Sequence, residues 1–303
     1  MENQQGGAAV HQGPRSRRLM FAFAPPADAW PSAFVRGRQM MEIVAAARSD
    51  TDCHAIGLGG LTQLRDEWVI LTKSALLRLN RNTIWGLRAL GHRLIADFVD
   101  LPVNDEVASS VDFLLASSVS QERFFRSRFS RVPTLHVTHH VDLRMPLIAT
   151  PADRARFGYF GDLENCLHAN EIADIVCIVR ADKPVDTGWM LRLSESNAHY
   201  AIRGVGTPGA FKPFLKGFTA AHCGVPIIVA SGDQEARHYL GAEYPFVVGD
   251  TSVGSVREHI GRFAAEYATS RWKSAIEMMR AVAAKSSRQR VECELRALLD
   301  AIW

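Results

Sequence analysis

Residues 211–235 read FKPFLKGFTAAHCGVPIIVASGDQE. Residues 214–222 have helical patterning, Gly224 and Pro226 stop it, and 225–230 is a short apolar run of the kind that forms a strand buried on both faces. The polar Ser231-Gly232-Asp233-Gln234-Glu235 then falls at the carboxyl end of that strand, where open parallel α/β sheets bind ligands. Two of the chain's six lysines, Lys212 and Lys216, stand around the helix start. Ammonium groups beside the free N–H groups of a helix N-terminus suit a diphosphate. The spacing fits two solvated helix-start lysines equally well, and residues 231–235 taken alone fit an ordinary N-cap with acidic first-turn residues somewhat better than a ligand contact.

Outward from this segment the same alternation repeats. Strands are expected at 19–24, 54–58, 68–71, 93–99, 111–116 and 134–138, with helices from Pro31 onward (Phe34, Met41, Val44 and Ala45 inward), at 83–90 and at 121–129. Residues 146–156, with Pro146, Pro151 and Asp153, read as a linker. The pattern restarts with a strand at 158–161, a helix at 163–172 and strands at 175–179 and 198–202. Residues 256–303 are helical in pattern. Strands alternating with helices of about ten residues predict parallel, doubly wound sheets in two halves.

The chain's 303 residues suit two cores rather than one. A formal charge of +3, from 35 basic against 32 acidic residues, lacks the basic excess of a nucleic-acid binder. Five scattered cysteines without a CxxC pair argue against a disulfide framework or a structural zinc. No apolar run is long enough to span a bilayer. The polar, Gly/Gln-rich start (1–14) has no apolar signal region and reads as a disordered lead-in. A soluble, cytoplasmic protein is expected. The basic run at 15–18 suggests a peripheral contact with an anionic membrane surface.

No GxxxxGK[ST], GxGxxG, HExxH or GxSxG occurs, which disfavours P-loop, standard dinucleotide, metalloprotease and α/β-hydrolase readings. The remaining candidates sit at strand ends. His139 and His140, in Thr138-His-His-Val-Asp142, can serve acid–base or hydrogen-bonding chemistry, but adjacent residues of an extended segment face opposite ways, so only one can meet a given ligand. Asp28, just beyond the first strand, is a candidate base. Asp97 and Asp100 read as a strand-end pair capping the next element.

Together these segments resemble a glycosyltransferase of the GT-B fold, nearest to the retaining family 4 group. Residues 138–144 are similar to that group's P-N-G-V-D segment, 156–161 to the first strand of its C-terminal domain, and 216–226 to its K-x-x-E-x-x-A-x-G-x-P segment, with Lys216, Gly224 and Pro226 in register. The resemblance implies two Rossmann-like domains facing a cleft. Their expected bounds are a lead-in at 1–17, an acceptor-side domain at 18–145, a linker at 146–156, a donor-binding domain at 157–255, and helices at 256–303 packed on both. It implies a nucleotide-sugar donor, UDP- or GDP-linked, as co-substrate with no other cofactor and no metal, and a glycan or lipid-linked acceptor of the kind used in bacterial surface polysaccharide synthesis. Lys212, Lys216 and Arg203 would hold the diphosphate, with Gly232, Asp233, Glu235 and Thr219 near the nucleotide or sugar and Asp28, His139 and His140 at the chemistry. Two departures stand out: the glutamate three residues after the lysine is Thr219, and its partner eight residues earlier is Phe211. Their loss also fits a GT-B-like binding protein without activity. A sugar-nucleotide epimerase is the remaining alternative.

Overall fold

The computed structural model describes residues 17–25, 31–183, 186–204 and 211–303. Two all-parallel sheets organise it. The first has six strands: β1 (Arg17–Phe23), β2 (Thr51–Gly57), β3 (Trp68–Leu71), β4 (Arg93–Asp97), β5 (Phe113–Ala116) and β6 (Thr134–His136), in the order β2-β1-β3-β4-β5-β6. The second has five: β7 (Phe157–Gly161), β8 (Val176–Arg180), β9 (Ala198–Tyr200), β10 (Ile227–Ala230) and β11 (Val247–Val248), in the order β11-β10-β9-β7-β8. Each sheet grows first to one side of its opening strand and then to the other. The reversal points lie between β1 and β3 and between β7 and β9, which is where parallel sheets leave a crevice.

Period-two alternation sorts the core of the first sheet. Met20 and Ala22 face the layer holding Ile84, Leu87 and Phe125, whereas Leu19 and Phe21 face Met40, Ile43 and Val44. The last helix, Arg288–Ile302, brings Val291, Leu295, Leu298 and Leu299 onto this second face. The chain thus ends against its beginning. The helix before it, Ser270–Lys285, packs Trp272, Ala275, Met279 and Val282 into the core of the second sheet.

Four sequence expectations are corrected. The segment after Pro31 is not one regular helix: Pro31–Ala33 passes through a π-helical stretch, Phe34–Gln39, before Met40–Ala47. Each residue added to a turn rotates later side chains by about 100°, so Val35, Met40 and Ile43 are buried with Val44, while Ala45 is exposed. Residues 163–172 form only a short 3₁₀ turn, Leu163–Asn165, capped by Asp162 and followed by His168 at φ 61°. β4 stops at Asp97, two residues before Val99, which has φ 56°, a conformation costly for a β-branched residue. β6 likewise ends at His136 rather than at 138.

The π-helical stretch carries Arg36. This side chain is 1% exposed and Asp97 is 0% exposed. Arg36 Nε and Nη2 each donate to Asp97 at 3.0 Å, and Nη1 donates to the carbonyl of Val137 at 2.6 Å. A Cβ at Gly37 would lie 2.4 Å from the Phe23 ring, so any larger residue there requires that ring to move. Removing one partner of a buried pair strands the other charge. Arg36→Met should therefore lower the unfolding free energy in urea titrations by about 3–5 kcal/mol, and Arg36→Met/Asp97→Leu should recover part of that loss.

Candidate functional site

The carboxyl ends of both sheets open onto one cleft of about 360 Å³. The first half supplies Lys73, Val99, Asp100, His139, Asp142 and Arg144, and the second supplies Gly161, Arg203, Lys212, Lys216, Thr219 and Asp233. The lining holds six cations, with Lys183 the sixth, against the four carboxylates Asp100, Asp142, Asp162 and Asp233. An anionic ligand is favoured by the balance alone.

Lys216 lies in the first turn of the Leu215–His222 helix, beside the β7/β9 reversal. Its ammonium is 5.0 Å from the centre of the Tyr159 ring and packs against Gly161, where a Cβ would come within 3.2 Å of Nζ. Gly161 also has φ 157°, and a Cβ there would crowd the end of the Lys216 side chain. No described residue forms a hydrogen bond or ion pair with it. Burial, followed by the charge of Arg203, pulls its pKa down from 10.5 to about 8.

Arg203 Nη2 donates to Asp233 Oδ2 at 2.7 Å, and Asp233 Oδ1 caps the Gln234–Leu240 helix by accepting from the Ala236 N–H at 3.0 Å. Thr219 is buried, with its hydroxyl donating to the Leu215 carbonyl at 3.1 Å. Lys212 reaches across the cleft to Asp100, Nζ to Oδ2 at 2.5 Å, and Lys73 takes Oδ1 at 2.5 Å. Burial raises the Asp100 pKa, but the two ammonium groups outweigh it and hold the carboxyl at about 2.

His139 lines the cleft, and its Nδ1 is 3.1 Å from the His140 carbonyl. A carbonyl only accepts, so Nδ1 carries the hydrogen and Nε2 keeps its lone pair. Burial, then the Arg36 charge, lowers its pKa to about 4. The loop carrying it is fixed from behind by Glu294 of the last helix, which accepts from the Thr138 N–H at 2.7 Å and its hydroxyl at 3.1 Å.

The structure therefore brings Lys212, Lys216, Arg203, Thr219, Asp233 and His139 together. Three other expected residues stand apart. His140 is 0% exposed, does not line the cleft, and has both ring nitrogens without a hydrogen-bond partner; the alternation that sends His139 in sends His140 away. Glu235 is buried and accepts from the N–H groups of Val119 and Ser120 at 3.2 and 2.6 Å, so it caps the Val119–Arg128 helix of the other half rather than facing a ligand. Gly232 is exposed outside the cleft lining. Asp28 lies outside the described residues. Asp97 and Asp100 are not helix caps: each neutralises buried or cleft cations.

Sequence reasoning missed Arg36, Lys73 and Arg144. A lysine right after the β3 strand is a legible strand-end signal. Arg144, whose guanidinium stacks 4.0 Å over Phe34 and pairs with Asp142, sat inside the quoted 138–144 segment. Among the described residues no group of three or more His, Cys, Asp or Glu side chains is arranged to hold a metal ion. No helix among them is long and apolar enough to cross a membrane.

No protein-family model and no curated protein matches the sequence. Solved structures do match. Sucrose-phosphate synthase from Thermosynechococcus elongatus superposes with a TM-score of 0.69 at 13% identity, covering 94% of this chain and 99% of that one. A glycosyltransferase from Rickettsia africae ESF-5 gives 0.66 at 8%, covering 95% and 99%. Anabaena HepE in complex with UDP gives 0.61 at 9%, covering 94% and 100%. These neighbours are GT-B glycosyltransferases, and the likeness fixes the fold as the two-domain GT-B type.

The buried histidines make acid sensitivity predictable. His139 is held at about 4 and His140 and His199 at about 3, in each case chiefly by burial, against an ordinary value of 6.5. The unfolded chain takes up protons below 6.5 that the folded one refuses, so their contribution is present above 6.5 and lost as pH falls toward 3. Urea titrations between pH 6.5 and 4 should show stability falling by up to about 1.4 kcal/mol per pH unit per ring, and His199→Leu should remove one ring's share of the slope.

Proposed function

We propose that the cleft binds a nucleotide-sugar donor, UDP- or GDP-linked, and transfers its sugar to a hydroxyl of a glycan or lipid-linked acceptor, chemistry that serves the building of bacterial surface polysaccharides and glycoconjugates. The observation carrying this reading is the Lys216 ammonium, which has no hydrogen-bond or ion-pair partner among the described residues and lies half-buried at the carboxyl end of β7 in a cleft with excess positive charge. The HepE structures in complex with UDP and with UDP-glucose, on the same fold, favour a uridine nucleotide.

In this reading the negative charge growing on the departing diphosphate is met by Lys216, Arg203 and Lys212, with the first turn of the Leu215–His222 helix adding its dipole. These groups do the work a divalent cation otherwise does, so transfer is expected to be metal-independent and insensitive to chelators. In this reading Asp233 and Thr219, both lining the cleft, meet the ribose or sugar hydroxyls in place of the carboxylates absent at 211 and 219. His139, neutral at physiological pH, accepts a hydrogen bond at Nε2 from a sugar hydroxyl. Enclosure between the two halves excludes water and favours transfer over hydrolysis.

A binding protein without transferase activity is the second reading, favoured by those same missing carboxylates. It gives nucleotide binding with no turnover of any donor and acceptor pair.

Calorimetric titration with UDP-, GDP-, dTDP- and CMP-linked sugars tests the proposal. One nucleotide class should bind saturably. Lys216→Ala should weaken it by about tenfold or more while moving the melting temperature by no more than about 2 °C, because a desolvated, unpaired ammonium contributes little to folding. Wild-type affinity should decline as pH rises through about 8, where the ammonium loses its proton. Equal loss of binding and stability in Lys216→Ala would make the lysine a structural residue and sink the reading.

A further inference from the structure

Asp100 is the one carboxylate among the cleft residues that the structure shares between the two halves. Its Oδ1 takes Lys73, from just after β3, and its Oδ2 takes Lys212, from the far side. The cations of the proposed donor site differ in how they are held. Among the described residues Lys216 has no ion-pair partner, Arg203 is paired within its own half by Asp233, and Lys212 is paired across the cleft. A diphosphate settling beside Lys216 therefore meets Lys212 already engaged by another anion.

We propose that Asp100 is a built-in competitor of the donor diphosphate: it holds Lys212 in the empty cleft and gives it up when the donor binds. This rests on the donor-site reading above. The exchange is one-sided because the two partners differ in freedom. Asp100 follows Val99, whose unusual backbone is pinned where its carbonyl accepts from Ser117 Oγ and Gln121 Nε2, both at 3.0 Å. Lys212 is a long side chain, 35% exposed, on the segment entering the Leu215–His222 helix. On donor binding the lysine turns and the aspartate stays.

Two consequences follow. Donor binding exchanges an ion pair between the halves for one between Lys212 and the donor, while the Glu235 and Phe124–Phe211 contacts between the halves remain. It also uncovers Oδ2 on the acceptor side, where it can take a hydrogen bond from an incoming hydroxyl. Asp100 remains beside Lys73, so the site for the acceptor hydroxyl is completed only after the donor is in place. Binding in the order donor, then acceptor, is built into the side chains.

The test is calorimetric titration of UDP, GDP and inorganic pyrophosphate into wild type, Asp100→Asn, Lys212→Ala and the double variant. Asp100→Asn should bind the diphosphate about five- to tenfold more tightly than wild type. In the Lys212→Ala background the same substitution should give no gain. Asp100→Ser gives the same comparison if the asparagine variant does not fold. Tightening of equal size with and without Lys212 would show a general charge effect and overturn the proposal, as would no tightening at all. If wild type binds in a Lys216-dependent way while Asp100→Asn does not tighten, only the exchange falls. If none of the probes binds wild type, the donor site itself falls and the exchange with it.

Discussion

The cleft depends on a single buried ion pair. Arg36 and Asp97 are both out of water, and a lone charge in either position would be intolerable. The π-helical stretch carries Arg36, β4 ends at Asp97, and the same guanidinium holds the Val137 carbonyl. Gln39, on the same stretch, joins Asp142 and the Leu143 N–H at 2.7 and 3.1 Å. One guanidinium and one amide thereby set the path of residues 137–143, and that path decides that His139 and not His140 meets the cleft. The polar interior is more a positioning device than a source of stability.

A second set of contacts joins the halves. Glu235 caps a helix of the first half, Lys212 reaches Asp100, and Phe124 and Phe211 lie with ring centres 4.9 Å apart. All three partners in the second half come from the segment whose pattern first suggested a ligand site. The chemistry of the 211–235 stretch is thus divided between holding a ligand and holding the other half of the molecule.

Much of the fold was legible because it rests on local periodicity. β3 falls where its apolar run predicted, and the alternation of strands and helices gave two parallel sheets. What the sequence hid at Arg36 and Glu235 depended on tertiary charge. Nothing in FVRGRQ announces that Arg36 is buried, since its partner lies 61 residues away. Glu235 read as a ligand contact because strand-end carboxylates often are, yet its hydrogen-bond partners sit on a helix 115 residues earlier. Lys216 was found because helix start, glycine and proline spacing are all local. Asp100 was seen as a strand-end residue, but its two ammonium partners could not be inferred from position.

The last helix leaves the second half to lie on the first sheet, so the chain passes between the halves twice: once through residues 146–156 and again between Lys285 and Arg288. Two covalent crossings tie the halves together, so Lys212 and Asp100, or Glu235 and the Val119–Arg128 helix, meet as partners within one molecule at high effective concentration. Contacts too weak to hold two separate proteins together are enough to hold these two halves.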